Sequence, residues 1–135
     1  AVGDNAATAL DDACMAAAGG NQAGLDKSLV RAVGEGVHSV GILRAAARHF
    51  LRLHQAAGMV EAGKTAQQAM KALRPPVFFG DVDAFAAQMR RWNPALLAEA
   101  LDLLAAAEMD CKTTGMPADA VSGRALMRIA QMAKR

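Results

Sequence analysis

Tyrosine is absent from this sequence, and its 135 positions hold only five aromatic residues, Phe50, Phe78, Phe79, Phe85 and Trp92. Runs of β-branched or aromatic residues long enough for strands are missing too, which excludes a domain built on a sheet. No apolar run approaches the ~18 residues needed to cross a bilayer. Nor is there a charged start followed by an apolar middle, the mark of a secretory signal. Cysteine is scarce: Cys14 and Cys111 stand far apart and form no CxxC pair. They read as buried or half-buried thiols in a reducing cytoplasm. Charge of one sign is also lacking, since the net +2 is too small to argue for nucleic acid.

What is abundant is alanine, which supplies about half of a 53% hydrophobic content and favours closely packed helices. The length fits one domain, residues 1–135, able to bury a core without disulfides or metal. Charge is uneven along it: residues 1–36 carry two basic and five acidic residues, and residues 37–135 carry thirteen and eight. The later part could therefore face an acidic partner or a phosphate backbone, although a solvated surface accounts for it as well. The chain begins on an alanine in mid-pattern, which reads as a piece of a longer protein.

Glycine, proline and capping residues divide the sequence into helices. Asn5 is the expected cap of a first helix over 6–18, stopped by Gly19-Gly20. A second runs over 22–33, ended by Gly34 and Gly36. A long third spans 38–62, with an apolar stripe of Leu43, Ala47, Phe50, His54 and Ala57, joined by Ala46, Leu53 and Val60. Thr65 caps a short helix over 66–73, and Asp81 another over 82–92. Asn93-Pro94 starts a helix that runs to 113 through Leu97, Leu101, Leu104 and Met109, because a capping residue followed by proline suits the first turn. Pro117 opens the last, to 134. The expected fold is all-α, a compact bundle of six or seven helices.

Signs of catalysis are few. His49 and His54 are five apart rather than the four that places two ligands on one helix face, no HExxH occurs, and His38 stands alone. "GGNQAG" at 19–24 lacks the lysine of a phosphate-binding loop. Asp11-Asp12 and Asp81/Asp83 lack the spacing of a metal pair, and Glu108 and Lys112 read as a surface ion pair. No catalytic residue, cofactor-binding residue or metal ligand is assigned.

Two features stand out. Arg44, Arg48 and Arg52 recur every four residues, with Gln55 near the same line. They make a basic stripe that suits an acidic neighbour or phosphates. No aromatic interleaves them, which disfavours base stacking. The second feature is "LRPPVFFG" at 73–80, which crowds two prolines and two phenylalanines together. Pro75 and Pro76 break the helix. The expectation is a core plug at a helix corner: Phe79 stapled to Phe85, Phe78 filling a gap left by alanines, and Phe78, Phe85 and Trp92 sharing one buried face at seven-residue steps. Phe50, Phe78, Phe79, Phe85 and Trp92 then form the structural core, and truncating Phe78 would cost roughly 3–5 kcal/mol.

Three ordered blocks carry a resemblance: "EGVHSVGILRAAARHFLRLHQ" (35–55), "ALRPPVFFGDVDAFAAQMRRW" (72–92) and "LDLLAAAEMDCKTTGMP" (101–117). Together with the lead-in "VGDNAATALDDACMAAAGGN" they resemble the C-terminal region of the bacterial DNA polymerase III delta subunit, most of all its alphaproteobacterial members. Delta is a subunit of the clamp loader, which opens the sliding clamp and places it on primed DNA. The resemblance implies a helical collar domain that joins those of the neighbouring subunits, gamma/tau and delta prime. It also implies a cytoplasmic, bacterial setting, no cofactor and no catalysis in this stretch. The parent would serve the DNA polymerase III holoenzyme, a nucleotidyltransferase. It would meet clamp and DNA through AAA+-like domains and a clamp-binding element outside this stretch, or through the whole complex. Arg44, Arg48 and Arg52 are the candidate subunit-interface residues. Two other readings stand beside it: an independent helical nucleic-acid-binding domain using the basic stripe, and a small helical enzyme with a His or Cys beside a carboxylate in a deep pocket.

Overall fold

Helices formed by alanine-rich segments are stopped here by glycine and proline, and the stops are visible residue by residue. The computed structural model describes residues 2–113 and 115–134. Among these, seven α-helices and one 3₁₀ turn follow in order, with no strand: α1 Val2–Gly19, α2 Gln22–Gly34, α3 Ser39–Glu61, α4 Ala66–Ala72, the 3₁₀ turn Phe79–Asp81, α5 Val82–Arg91, α6 Pro94–Cys111 and α7 Ala118–Ala133. The chain is all-α, a compact helical bundle.

Several boundaries follow local chemistry. At α4 the Thr65 hydroxyl accepts from the Gln68 N–H at 3.1 Å, and the Thr65 N–H donates to the Gln68 side chain at 2.9 Å. This reciprocal pair satisfies two N–H groups that a helix start leaves without partners. At α6 the Asn93 side chain accepts from the Leu96 N–H at 2.8 Å, with Pro94 in the first turn. Two expected caps are not caps. Asn5 lies inside α1, which starts earlier than the capping pattern suggests. Asp81 stands at the start of α5 but makes no capping hydrogen bond, because it is itself the last residue of the 3₁₀ turn and runs straight into the helix.

The core lies where α1, α3 and α7 meet. Helix α1 packs on α2, α3, α5 and α7, while α3 packs on α6 and α6 on α7. Along α1, Ala9, Ala13 and Ala17 are fully buried, so small side chains let the neighbouring helices approach closely. Volume comes instead from Phe50, Leu25, Ile42, Leu43, Leu53, Leu73, Leu97, Leu104, Leu126 and Ile129, all almost wholly enclosed. The buried stripe of α3 is Ile42, Leu43, Ala46, Phe50, Leu53 and Ala56. His54 and Val60, expected on that stripe, face solvent, as does Met109 on α6. In both helices the buried face is rotated toward the neighbour that covers it, and helical spacing alone leaves that angle open.

Of the five aromatic residues expected to form the core, Phe50, Phe85 and Trp92 are buried. Phe78 and Phe79 are not; they are 61% and 84% exposed. The start of α5 explains the difference. The seven-residue step from Trp92 to Phe85 stays with α5, but the next step back, to position 78, leaves it, because α5 begins only at Val82. Phe78 therefore lies outside the helix whose period would have aimed it inward. The expected staple of Phe79 on Phe85 is replaced by a contact of Phe79 with Phe78, ring centroids 4.5 Å apart. His49 packs edge-on against Phe85 instead. Phe78→Ala and Phe79→Ala are accordingly expected to cost under about 1 kcal/mol each, as exposed positions do. Urea denaturation checks this, and a loss near the core value would contradict their placement.

Candidate functional site

The α3 arginines come from one helix face, yet the structure gives each a different task. Arg44 reaches α6, where its Nε and Nη2 donate to the two carboxylate oxygens of Glu108 at 3.4 and 3.3 Å. Lys112 joins the same carboxylate at 2.9 Å. These two cations hold the Glu108 carboxyl below its ordinary value, Lys112 first. Arg48 is exposed and forms no ion pair among the described residues. Arg52 is half-buried and donates from Nη1 to the Pro75 carbonyl at 2.6 Å. The regular spacing of the three was legible in the sequence; the carbonyl that claims Arg52 comes from a loop 23 residues away.

That loop is held at several points. The Val77 N–H donates to the Met70 carbonyl at 3.1 Å, and the Asp81 N–H to the Phe78 carbonyl at 2.8 Å. The Arg74–Pro75 peptide bond is cis. Arg74 turns its guanidinium back to the carbonyls of Lys71 and Leu73, each at 3.0 Å. The loop, the middle of α3, α1 and Phe85 of α5 line a groove of about 460 Å³. Its apolar walls include Leu10, Met15, Val77 and Phe78, and its polar groups include Asp11, Arg48, His49, Arg52 and Asp81.

Cys14 lines the same groove. A histidine, a cysteine and a carboxylate thus share one depression, the arrangement an enzyme reading calls for. Their chemistry points elsewhere. His49 Nε2 lies 2.7 Å from the Gln88 side-chain oxygen, and Gln88 in turn donates to the Met15 sulfur at 3.5 Å. Burial lowers the His49 imidazole's affinity for a proton, Gln88 opposes this, and Arg52 adds to it. Burial, aided by Asp11, pushes the Cys14 thiol up to about 12. It stays protonated at neutral pH and is a poor nucleophile. Asp11 is raised above its ordinary value by burial first and then by Asp81 and Asp12, with His49 and Arg48 opposing. No hydrogen bond joins His49 to Cys14 or to Asp11 among the described residues, so nucleophile and base are not paired as covalent catalysis requires. No group of three metal-ligating side chains occurs among the described residues. None of the described helices is long and apolar enough to cross a membrane.

The His49 environment has a measurable consequence. The imidazole titrates lower when folded than its ordinary 6.5, so below about pH 6.5 the unfolded chain binds more protons and stability falls with pH. The contribution is complete above that pH and is lost as the pH falls through the lowered folded value. Asp11 acts in the carboxylate range, further down. Urea titrations of wild type and His49→Gln should show the wild type losing more stability on acidification; equal slopes would contradict an enclosed, neutral histidine.

The class that fold and surface define is an all-helical bundle with a mixed apolar and charged groove bordered by an exposed aromatic pair. Among known proteins, the "Probable DNA polymerase III subunit delta" of Rickettsia prowazekii (strain Madrid E) is 31% identical over 78 residues, 58% of this chain and 24% of that protein. The chain spans about a quarter of that relative's length. No protein-family model matches the chain, and no solved structure does.

Proposed function

We propose that this chain is a non-catalytic helical oligomerisation module, the collar part of a delta-type clamp-loader subunit. In this role it helps to hold the loader together while the sliding clamp is placed on primed DNA. The observation that carries the reading is the 78-residue similarity to a protein named as a delta subunit. Two structural features support it. An all-helical bundle with short connections suits a rigid building block. Burial holds the Cys14 thiol of the groove protonated, a poor nucleophile. The partners in this reading are gamma/tau and delta prime, and contacts with clamp and DNA belong to the parent protein or the whole complex. The setting is the bacterial cytoplasm.

The nucleic-acid reading draws less support. It needs a continuous row of free arginines, whereas Arg44 is committed to Glu108 and Arg52 to the Pro75 carbonyl. Co-expression of the chain with gamma/tau and delta prime, followed by gel filtration, tests the proposal. Co-elution at fixed stoichiometry is the expected result. Elution of the chain alone, at every concentration tried, would refute it.

A further inference from the structure

The groove carries both signs of charge, and its elements divide them. Arg48 and Arg52 stand on α3, whereas Asp11 comes from α1 and Asp81 from the 3₁₀ turn. Arg52 is tied to the Pro75 carbonyl. Arg48, Asp11 and Asp81 are exposed, and none of them forms an ion pair among the described residues. The apolar lining includes Leu10, Met15 and Val77. Beside it Phe78 and Phe79 pack on one another and stand largely in solvent, with Pro75 and Pro76 exposed as well. A segment of one charge sign is repelled by half of the charged groups here, and so is a phosphate chain. A partner that satisfies all of them carries both signs in the reverse arrangement, beside an apolar knob. The same surface on a second copy, turned about a two-fold axis, is such a partner.

We propose that this surface pairs with itself, so that two copies of the chain form a two-fold dimer. Phe79 of each copy enters the groove of the other, against Leu10, Met15 and Val77. Arg48 of each copy meets Asp81 of the other. A two-fold contact makes every pairing twice, because each copy offers the same patch and receives it. Opposite charges across the contact fix its register and steer the approach. Exposed aromatic and arginine side chains are also the types enriched at the centres of protein interfaces. The area suits a weak dimer. A phenylalanine side chain buries roughly 150–250 Å². The free parts of Phe78 and Phe79 in two copies therefore supply roughly half of the ~1,000 Å² that a specific contact needs, and the groove walls and exposed prolines add to it. The inference goes beyond the clamp-loader reading and does not depend on it, since it requires no other subunit.

Sedimentation velocity of the chain alone, from about 10 µM to about 1 mM, is the test. The wild type should pass from monomer to dimer within that range. Phe79→Ala should weaken the dimer at least about tenfold. Arg48→Glu and Asp81→Arg should each weaken it at least as much, because each sets like charges against one another twice. The decisive sample is an equimolar mixture of these two variants. In a mixed dimer the two introduced charges face one another and the remaining native pair is intact, so the mixture should associate about as well as the wild type. Circular dichroism melts check that the variants are folded, and the wild-type and Phe79→Ala samples decide the matter even where a charge variant melts early. A wild type that stays monomeric at about 1 mM overturns the inference. So does a mixture that associates no better than its components, or a dimer that Phe79→Ala leaves unchanged; either would place the contact elsewhere. Growth beyond a dimer also overturns it, since a two-fold contact closes on itself. Failure on any of these counts leaves the clamp-loader reading to its own co-elution test.

Discussion

Trp92→Ala is expected to lower folding stability by about 3–5 kcal/mol, the range for truncating a large buried aromatic. Trp92 closes α5 and is 4% exposed. Its ring meets Phe50 of α3 edge-on, centroids 4.9 Å apart. Its Nε1–H donates to the Ala18 carbonyl at 2.8 Å, in the last turn of α1. Carbonyls there lack partners within their own helix, so one side chain joins the ends of two helices and fills the space beside a third. Trp92→Phe keeps most of the apolar contact and loses the donor; about 1–2 kcal/mol is expected for leaving the buried carbonyl unsatisfied. Far-UV circular dichroism in urea is the suitable measurement, since the substitution removes the chain's single tryptophan. A loss under about 1 kcal/mol for the alanine variant would show that the site collapses around the void and that Trp92 is not the keystone of this corner.

Gly20→Val should cost about 2–4 kcal/mol, combining a left-handed backbone with crowding. Gly20 follows α1 at φ +74°, a conformation glycine adopts without a Cβ clash. A Cβ added there would sit 3.2 Å from Lys134 Cγ, 3.4 Å from the Ala130 carbonyl oxygen and 3.5 Å from Ala133 Cβ. The valine methyls would reach further into α7. Gly36 supplies the control. Its φ is +86°, and a Cβ there would meet nothing within 4 Å. Gly36→Val should therefore show the backbone cost alone, about 1–2 kcal/mol. Urea denaturation of both variants gives the comparison. Equal losses at the two positions would mean that α1 and α7 separate freely at this end, against the close packing described for them.

The helices were legible because their ends are written in local chemistry. Gly20, Gly36 and Gly63, all at positive φ, and the caps at Thr65 and Asn93 each act within four residues of where they stand. What the sequence left open depends on contacts distant along the chain. The inward angle of α3 is set by α6 and α1, so His54 could not be told from Phe50 by spacing alone. Arg52 could not be separated from Arg48 without the Pro75 carbonyl. The groove joins Asp11, His49 and Phe78 from three separate segments, and no local pattern links them. Phe78 was misplaced because a helical period was carried back beyond Val82, the start of α5, into the loop that follows Pro75-Pro76, and Phe79 because it was read as stapled to Phe85. The clue available in the sequence was that break itself: after Pro75-Pro76, the direction of a side chain follows the loop and no longer the next helix.

The tie from Arg52 to the Pro75 carbonyl has a kinetic meaning. With Val77 bonded to Met70 and Asp81 to Phe78, the segment bearing the two phenylalanines is set in place before any visitor arrives. A surface already rigid gives up little freedom on contact. The Val77 and Asp81 N–H groups should then exchange with deuterium only as fast as the loop opens. Arg52→Ala would loosen the rim while keeping its aromatic rings, and hydrogen exchange at Val77 and Asp81 should speed up.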